Sequence, residues 1–237
     1  MGLTPSFVNF IESSIASVFE EDRQPLRMLE LGNQHLRLSR ASGTTQKTGK
    51  EYFSERGFTH ISIDLNGLDG ALIRDLREPQ QFLDLQSSID VVTNVGTTEH
   101  IEPKEYQYEC FGIIHRCMKT GGLSVHIVPD VVEHDEHGRY RNHCRYFYSQ
   151  SFFELLAQEC AYELINSTVI EGCRCVALKK TEDRPFMTDR VKLLGEIAER
   201  EYGFYPLGSL RQWLGQVGVG DFLRKIGLRK PKELDVF

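Results

Sequence analysis

The 237 residues carry 28 Lys+Arg against 34 Asp+Glu, a formal net charge of -6, and 40% of them are hydrophobic. A chain of this size supports one full α/β core with residues left for terminal additions. The negative balance offers no general basic field to a polynucleotide backbone, so nucleic acid is not an expected partner, and no apolar run approaches the ~20 residues that span a bilayer.

Thr4-Pro5 supplies an N-cap followed by proline at the first helical position, and Phe7, Phe10, Ile11, Ile15 and Val18 then recur at helical spacing. Residues 1–23 are therefore expected to form an amphipathic helix ahead of the main fold. The run LRMLEL at 26–31 ends at Gly32 and suits a buried parallel strand. A polar stretch follows, then a helix over 47–56 stopped by Gly57, and a second strand THISIDL at 59–65. A third short strand is expected at 71–76, a helix at 80–86, and a strand IDVVTNV at 89–95.

Tyr106, Cys110, Ile113, Ile114 and Cys117 form one apolar stripe on a helix over 104–118, which Thr120-Gly121-Gly122 ends before a strand at 123–128. Ser151 with Glu154 reads as a capping box for a helix reaching about Glu159. Strands at 162–170 and 173–179 follow, joined by Glu171-Gly172, a turn tight enough to make them antiparallel. Val191, Leu194 and Ile197 suggest one more helix, and the stretch 204–229 suggests short helices interrupted by Gly215, Gly218 and Gly220. The whole predicts an α/β fold: a doubly wound, mostly parallel sheet with a terminal antiparallel hairpin and helices on both faces, the main domain covering 24–181 and a helical extension 182–237.

Six cysteines, at 110, 117, 144, 160, 173 and 175, contain no CxxC pair, and no signal-like segment stands in front of them. Free thiols in a reducing cytoplasm are the expected setting. Cys173 and Cys175 share a strand face and read as small buried apolar groups.

In open α/β sheets ligands lie beyond the carboxyl ends of the strands. Those positions hold Glu30, Gly32, Asn33 and Gln34 after the first strand, Asp64 and Leu65 after the second, Asp75 and Leu76 after the third, and Asn94 to Gly96 after the fourth. A carboxylate such as Asp64 can accept from both hydroxyls of a ribose, a turn cap being its plainer alternative. Asp75 can accept from an adenine amino group while Leu76 packs on the ring.

With TNVGTTEHIEP at 93–103 and RCMKTGGLSVHIVP at 116–129, the chain resembles the class I, Rossmann-like S-adenosylmethionine-dependent methyltransferases, in particular their broad small-molecule group. The resemblance covers residues 26–180. It implies S-adenosylmethionine as cofactor, with Glu30, Gly32, Asn33 and Gln34 in the first cofactor motif, Asp64 and Leu65 at the ribose, Asp75 and Leu76 at the adenine, and Asn94 and Gly96 in the fourth motif. The family's glycine-rich loop is reduced here to Gly32-Asn33-Gln34-His35-Leu36, and Asp64 lies farther from Gly32 than the ~20 residues of a compact unit. Flexible backbone is then expected from 42–45, with Gln46 or Lys47 near the methionine carboxylate.

Methyl transfer needs its nucleophile held in line, and a hydroxyl acceptor adds a base, for which histidine is suited near neutral pH. His100, His126 and His143 are the candidates, although His100 in EHI also suits a loop-orienting bond and His126 a satisfied core position. Residues 130–148 are dense in His, Arg and Tyr and form the expected acceptor loop, Arg139, Arg141 and Tyr146 binding a small anionic or polyhydroxylated molecule. His134, Asp135, His137 and His143 match no closed zinc spacing, so no metal is expected.

O-methylation of a small molecule is the expected function. The alternatives are a methyltransferase-like domain that binds without catalysis, or an NAD-dependent oxidoreductase, which the missing GxGxxG and the terminal hairpin oppose. The apolar surface of 204–229, with Arg224, Lys225, Arg229, Lys230 and Lys232, is expected to pack on the core or on another subunit in an oligomer rather than on a membrane.

Overall fold

The computed structural model describes residues 2–20, 25–37, 47–134, 140 and 143–200, the side chains of 133 and 134 excepted. The chain divides into a compact unit, Met1–Arg200, and a second, Glu201–Phe237. The expected packing or membrane stretch at 204–229 lies outside the described residues, as do residues 42–46.

Helix α1 (Pro5–Ala16) starts as its sequence demands, Thr4 Oγ1 accepting from the Phe7 amide at 3.4 Å with proline in the first turn. Four parallel strands follow: β1 (Arg27–Leu31), β2 (Thr59–Ile63), β3 (Ile89–Val95) and β4 (Met118–Pro129), with α2 (Gly49–Ser54) between the first two and α3 (Tyr106–Cys117) between the last two. Beyond β4 come β5 (Tyr146–Tyr148), α4 (Gln150–Glu159), the hairpin β6 (Tyr162–Ile170) and β7 (Cys173–Lys180), α5 (Arg190–Gly195) and β8 (Ile197–Glu199). The main sheet runs β2-β1-β3-β4-β7-β6, its last two strands antiparallel, and β5 pairs with β8 in a small separate sheet. Because β1 lies between β2 and β3, the winding direction reverses at its carboxyl end, where such sheets open a crevice.

Successive residues of the buried strands serve opposite faces. Leu29 and Val92 pack with Phe111, Ile114, Phe152 and Phe153 on the α3 and α4 side. Met28 and Val91 pack with Phe7, Ile11 and Phe53 on the α1 and α2 side. Helix α1 is thus part of the core, and the domain boundaries expected at 23 and 181 fall inside one compact unit. All six cysteines are buried and none is in a disulfide, Cys173 and Cys175 lying on one core face. No helix among the described residues is long and apolar enough to cross a membrane.

Several elements differ from the sequence reading. The strand expected at 71–76 reduces to a single bridge, Leu72 beside Ile63, because the chain turns at once: Asp75 accepts from the Arg77 amide at 2.9 Å and its carbonyl from Glu78. The helix expected at 80–86 is a 3-10 helix, Pro79–Leu85. Gly121 and Gly122 do not precede the strand but lie inside β4, where its pairing with β3 slips between Ile89 and Val91. A β-carbon at Gly122 would stand 2.9 Å from the Lys119 carbonyl oxygen, so the irregular pairing needs glycine there. Helix α4 is capped by Ser149, which accepts from the Phe152 amide, while Ser151 donates to Glu196. Leu193 carries the buried face of α5, Val191 is 83% exposed, and Ile197 belongs to β8.

Candidate active site

The crevice is floored by the loop after β1. Gly32 takes φ +79, and a β-carbon there would stand 2.6 Å from Thr97 Oγ1. Side chains are therefore excluded where this loop meets the one after β3. Thr97 Oγ1 donates to the Leu31 carbonyl at 2.7 Å, which locks the two loops together. Glu30 does not open onto the crevice: it is 1% exposed, its Oε1 accepts from the Gln34 amide at 3.1 Å, and its Oε2 lies 3.8 Å from His60. Burial pushes the Glu30 carboxyl up to about 8 and pulls His60 down to about 4, so the two meet as neutral groups near pH 7.

Asn33 Oδ1 and Gln34 Oε1 are buried acceptors without hydrogen-bond partners. Asp64 orients the loop by accepting from the Asn33 amide at 3.1 Å and from the Asn66 amide at 2.9 Å. Each carboxylate oxygen keeps a second lone pair for a diol. Leu65 beside it is 55% exposed and offers an apolar surface. These groups fit a nucleoside that bears a free amino-acid group and an intact ribose diol: amide oxygens for an ammonium, a carboxylate for ribose hydroxyls, leucine for a base.

The adenine expectation fares differently. Asp75 is held by Arg77, whose Nε stands at 2.9 and 3.0 Å from its two oxygens. Leu76 is 5% exposed and packs in the core, so it cannot lie on a ring.

The end of β3 is organised from beneath. The Asn94 side chain is buried, accepting from the Thr98 amide at 3.3 Å while its Nδ2 lies 2.9 Å from Thr98 Oγ1 and 3.3 Å from His126 Nδ1. Its side chain braces the loop rather than meeting a cofactor; Gly96, with φ +66, leaves only backbone at the crevice. His126 corrects the expectation of a base: its ring is 1% exposed, between Phe111 at 5.5 Å and Phe153 at 5.2 Å, and burial draws it down to about 3. Tyr148 donates to Gln107 Oε1 at 2.6 Å, and Gln107 Nε2 donates to the carbonyls of Thr98 and Ile101 at 2.7 and 2.8 Å. Tyr146, expected to touch an acceptor, is fully buried in β5. Arg139 and Arg141 lie outside the described residues.

That buried network presents the 3-10 turn Thr98–His100. Glu99 is fully buried, neither carboxylate oxygen has a hydrogen-bond partner, and burial raises its pKa well above the usual carboxylate range. His100, 28% exposed at its side chain, has Nε2 at 3.8 Å from Glu99 Oε1. Its ring lies 4.8 Å from that of His143, nearly perpendicular. Burial first, and for His100 its neighbour His143 second, hold these imidazoles down at about 3 and about 4, so both carry a free ring nitrogen at neutral pH. The structure thus brings His100 and His143 together and adds Glu99, Thr97, Gln107 and Tyr148, which sequence reasoning missed. A cavity of about 470 Å³ beside Leu26 and Phe58 lies at the amino ends of β1 and β2, away from this site.

No family model and no curated protein sequence matches the chain. Among solved structures it is similar to the 1,6-didemethyltoxoflavin-N1-methyltransferase of Burkholderia thailandensis, which holds S-adenosylhomocysteine, at 15% identity and TM-score 0.50 over 73% of this chain and 79% of that one. A methyltransferase of Methanosarcina mazei gives 12% identity and TM-score 0.49 over 77% and 100%. A TehB-like one of Corynebacterium glutamicum gives 16% and 0.45 over 72% and 87%. At such identities the likeness speaks for the fold alone, and only the first reaches a score that carries weight. Sheet order, closing hairpin and that likeness agree: the chain has the class I, Rossmann-like fold of the S-adenosylmethionine-dependent methyltransferases.

Proposed function

We propose that this protein transfers a methyl group from S-adenosylmethionine to a small acceptor, methylating an oxygen of an anionic or polyhydroxylated molecule. The observation that carries the reading is the pair of unpartnered buried amide oxygens, Asn33 Oδ1 and Gln34 Oε1, in the loop whose Asn33 amide Asp64 holds at the switch point of the sheet. When bound, the cofactor supplies an activated methyl on a sulfonium. The protein's part is positioning: the amide oxygens take the ammonium, Asp64 takes the ribose hydroxyls, and the Thr97 bond to Leu31 fixes the distance between the loops after β1 and β3. We assign the neutral imidazoles of His100 and His143, close together after β3 beside Glu99, to holding an acceptor hydroxyl by hydrogen bonding. The His- and Arg-rich stretch 130–148, which delivers His143, supports an anionic acceptor.

Calorimetric titration with S-adenosylhomocysteine and, separately, with NAD tests this: binding of the first alone is expected, and binding of NAD alone would replace the proposal with an oxidoreductase. A second reading, a methyltransferase-like domain that binds without transferring, draws on the engagement of Asp75 with Arg77 and the burial of Leu76, which leave the adenine position without its expected groups. Absence of S-adenosylhomocysteine binding would favour it.

A further inference from the structure

Glu99, His100 and His143 offer one carboxylate oxygen and two imidazole nitrogens, and these atoms all lie within 4.8 Å of one another. Among the described residues no other three side chains of the ligating types come so close. We propose that Glu99, His100 and His143 bind a divalent transition-metal ion of the zinc type.

The independent observation is Glu99. It is 0% exposed, both its oxygens lack a hydrogen-bond partner, and one of them lies 3.8 Å from His100 Nε2, directed into the cluster. A buried polar group left without a partner is costly and rare, and a cation between the carboxylate and the imidazoles supplies the partner. Two ligands of a tetrahedral ion with bonds of ~2.1 Å stand ~3.4 Å apart, so the Glu99–His100 pair, at 3.8 Å, closes by a few tenths of an ångström and the widest pair by up to ~1.4 Å. The first two ligands sit on a turn that Gln107 pins from below, so the closing falls to His143. Two imidazoles with one carboxylate suit zinc-like ions better than Mg²⁺ or Ca²⁺, which take oxygen ligands. Three protein ligands leave a tetrahedral ion one position for water or for an acceptor hydroxyl; that last role rests on the methyltransferase reading, whereas metal binding does not.

The test is calorimetric titration of the chelator-treated full chain with Zn²⁺, with Co²⁺ absorption as a second measurement. One equivalent is expected to bind. His143→Ala and Glu99→Gln should each weaken it at least tenfold with the far-ultraviolet dichroism unchanged, and Co²⁺ should give visible bands of nitrogen and oxygen coordination without the intense thiolate band of a cysteine site. Failure of the wild type to bind Zn²⁺, equal binding by both variants, or a thiolate band would each overturn the proposal. Should a variant not fold, the ring signals of two histidines moving together on Zn²⁺ addition in the wild type support it, and unmoved rings refute it. Titration of the same samples with S-adenosylhomocysteine reports the methyltransferase reading separately.

Discussion

Replacing Glu30 by glutamine tests the buried acid beneath the loop after β1. The amide keeps an oxygen for the Gln34 N–H and removes the ionisation. In the folded chain Glu30 titrates at about 8 rather than 4.5, its burial outweighing the Gln34 bond and the charge of Lys50. Between those values the folded state holds the proton that the unfolded chain has lost, so the contribution of Glu30 is full below pH 4.5 and is lost as pH rises to about 8. The loss is about 1.4 kcal/mol per unit, or about 2–3 kcal/mol from pH 5 to pH 7. His60, 3.8 Å away and drawn down to about 4, acts in the opposite sense, costing stability as pH falls from 6.5. The raw wild-type curve therefore mixes the two, and the difference between wild type and variant isolates Glu30. Urea unfolding at pH 5, 6, 7 and 8 should show the variant gaining about 2–3 kcal/mol on the wild type between pH 5 and 7. Parallel curves would mean that Glu30 ionises normally and that the buried geometry of this loop is wrong.

Asp64→Ala, which removes the acceptor for the Asn33 amide, should weaken S-adenosylhomocysteine binding by about 1–3 kcal/mol in calorimetry; unchanged affinity in a folded variant removes Asp64 from the site. Tyr148→Phe leaves Gln107 Oε1 buried without its donor and should cost about 1–3 kcal/mol of unfolding free energy. The same variant should lower turnover by loosening the Thr98–His100 turn, which steady-state assays would detect once an acceptor is in hand. On α5, Leu193→Ala should cost about 2–5 kcal/mol by denaturant titration, whereas Val191→Ala should change little; the reverse order would restore the helical stripe expected from the sequence.

What the sequence made legible was set by local pattern. Residues 89–95 are mostly β-branched and form β3 over that same range, and Glu171-Gly172, with φ 54 and 79, makes the tight turn its composition implied. The strand at 71–76 failed because Leu72 and Ile73 look apolar yet lie 43% and 72% exposed, while Arg74 and Asp75 are drawn into side-chain pairs with Asp84 and Arg77. Ser149 and Ser151 are both plausible caps by type; the choice depends on Glu196, far along the chain, which takes the second hydroxyl. At the site, the order of strand-end residues pointed to the crevice at the carboxyl end of β1, but not to Glu99. Its chemical meaning comes from total burial without a partner, a property made by β3, α3 and β5 together and absent from the letters EHI. The same holds for the metal expectation: histidines within 130–148 were weighed against each other, whereas the geometry pairs His143 with two residues from the other side of α3.

The segment ahead of α1 closes against the loop after β1: the Leu3 amide donates to the His35 carbonyl at 2.9 Å and the Arg37 amide to the Leu3 carbonyl at 2.8 Å. Leu3 itself is 1% exposed. Loop and segment are therefore thermodynamically linked. Any ligand that favours the loop in this conformation must favour the docked segment by the same free energy, and loss of docking must weaken the ligand reciprocally. Occupancy of the crevice is thus written into the first residues of the chain, and hydrogen exchange at the Leu3 and Arg37 amides would slow together as a ligand binds.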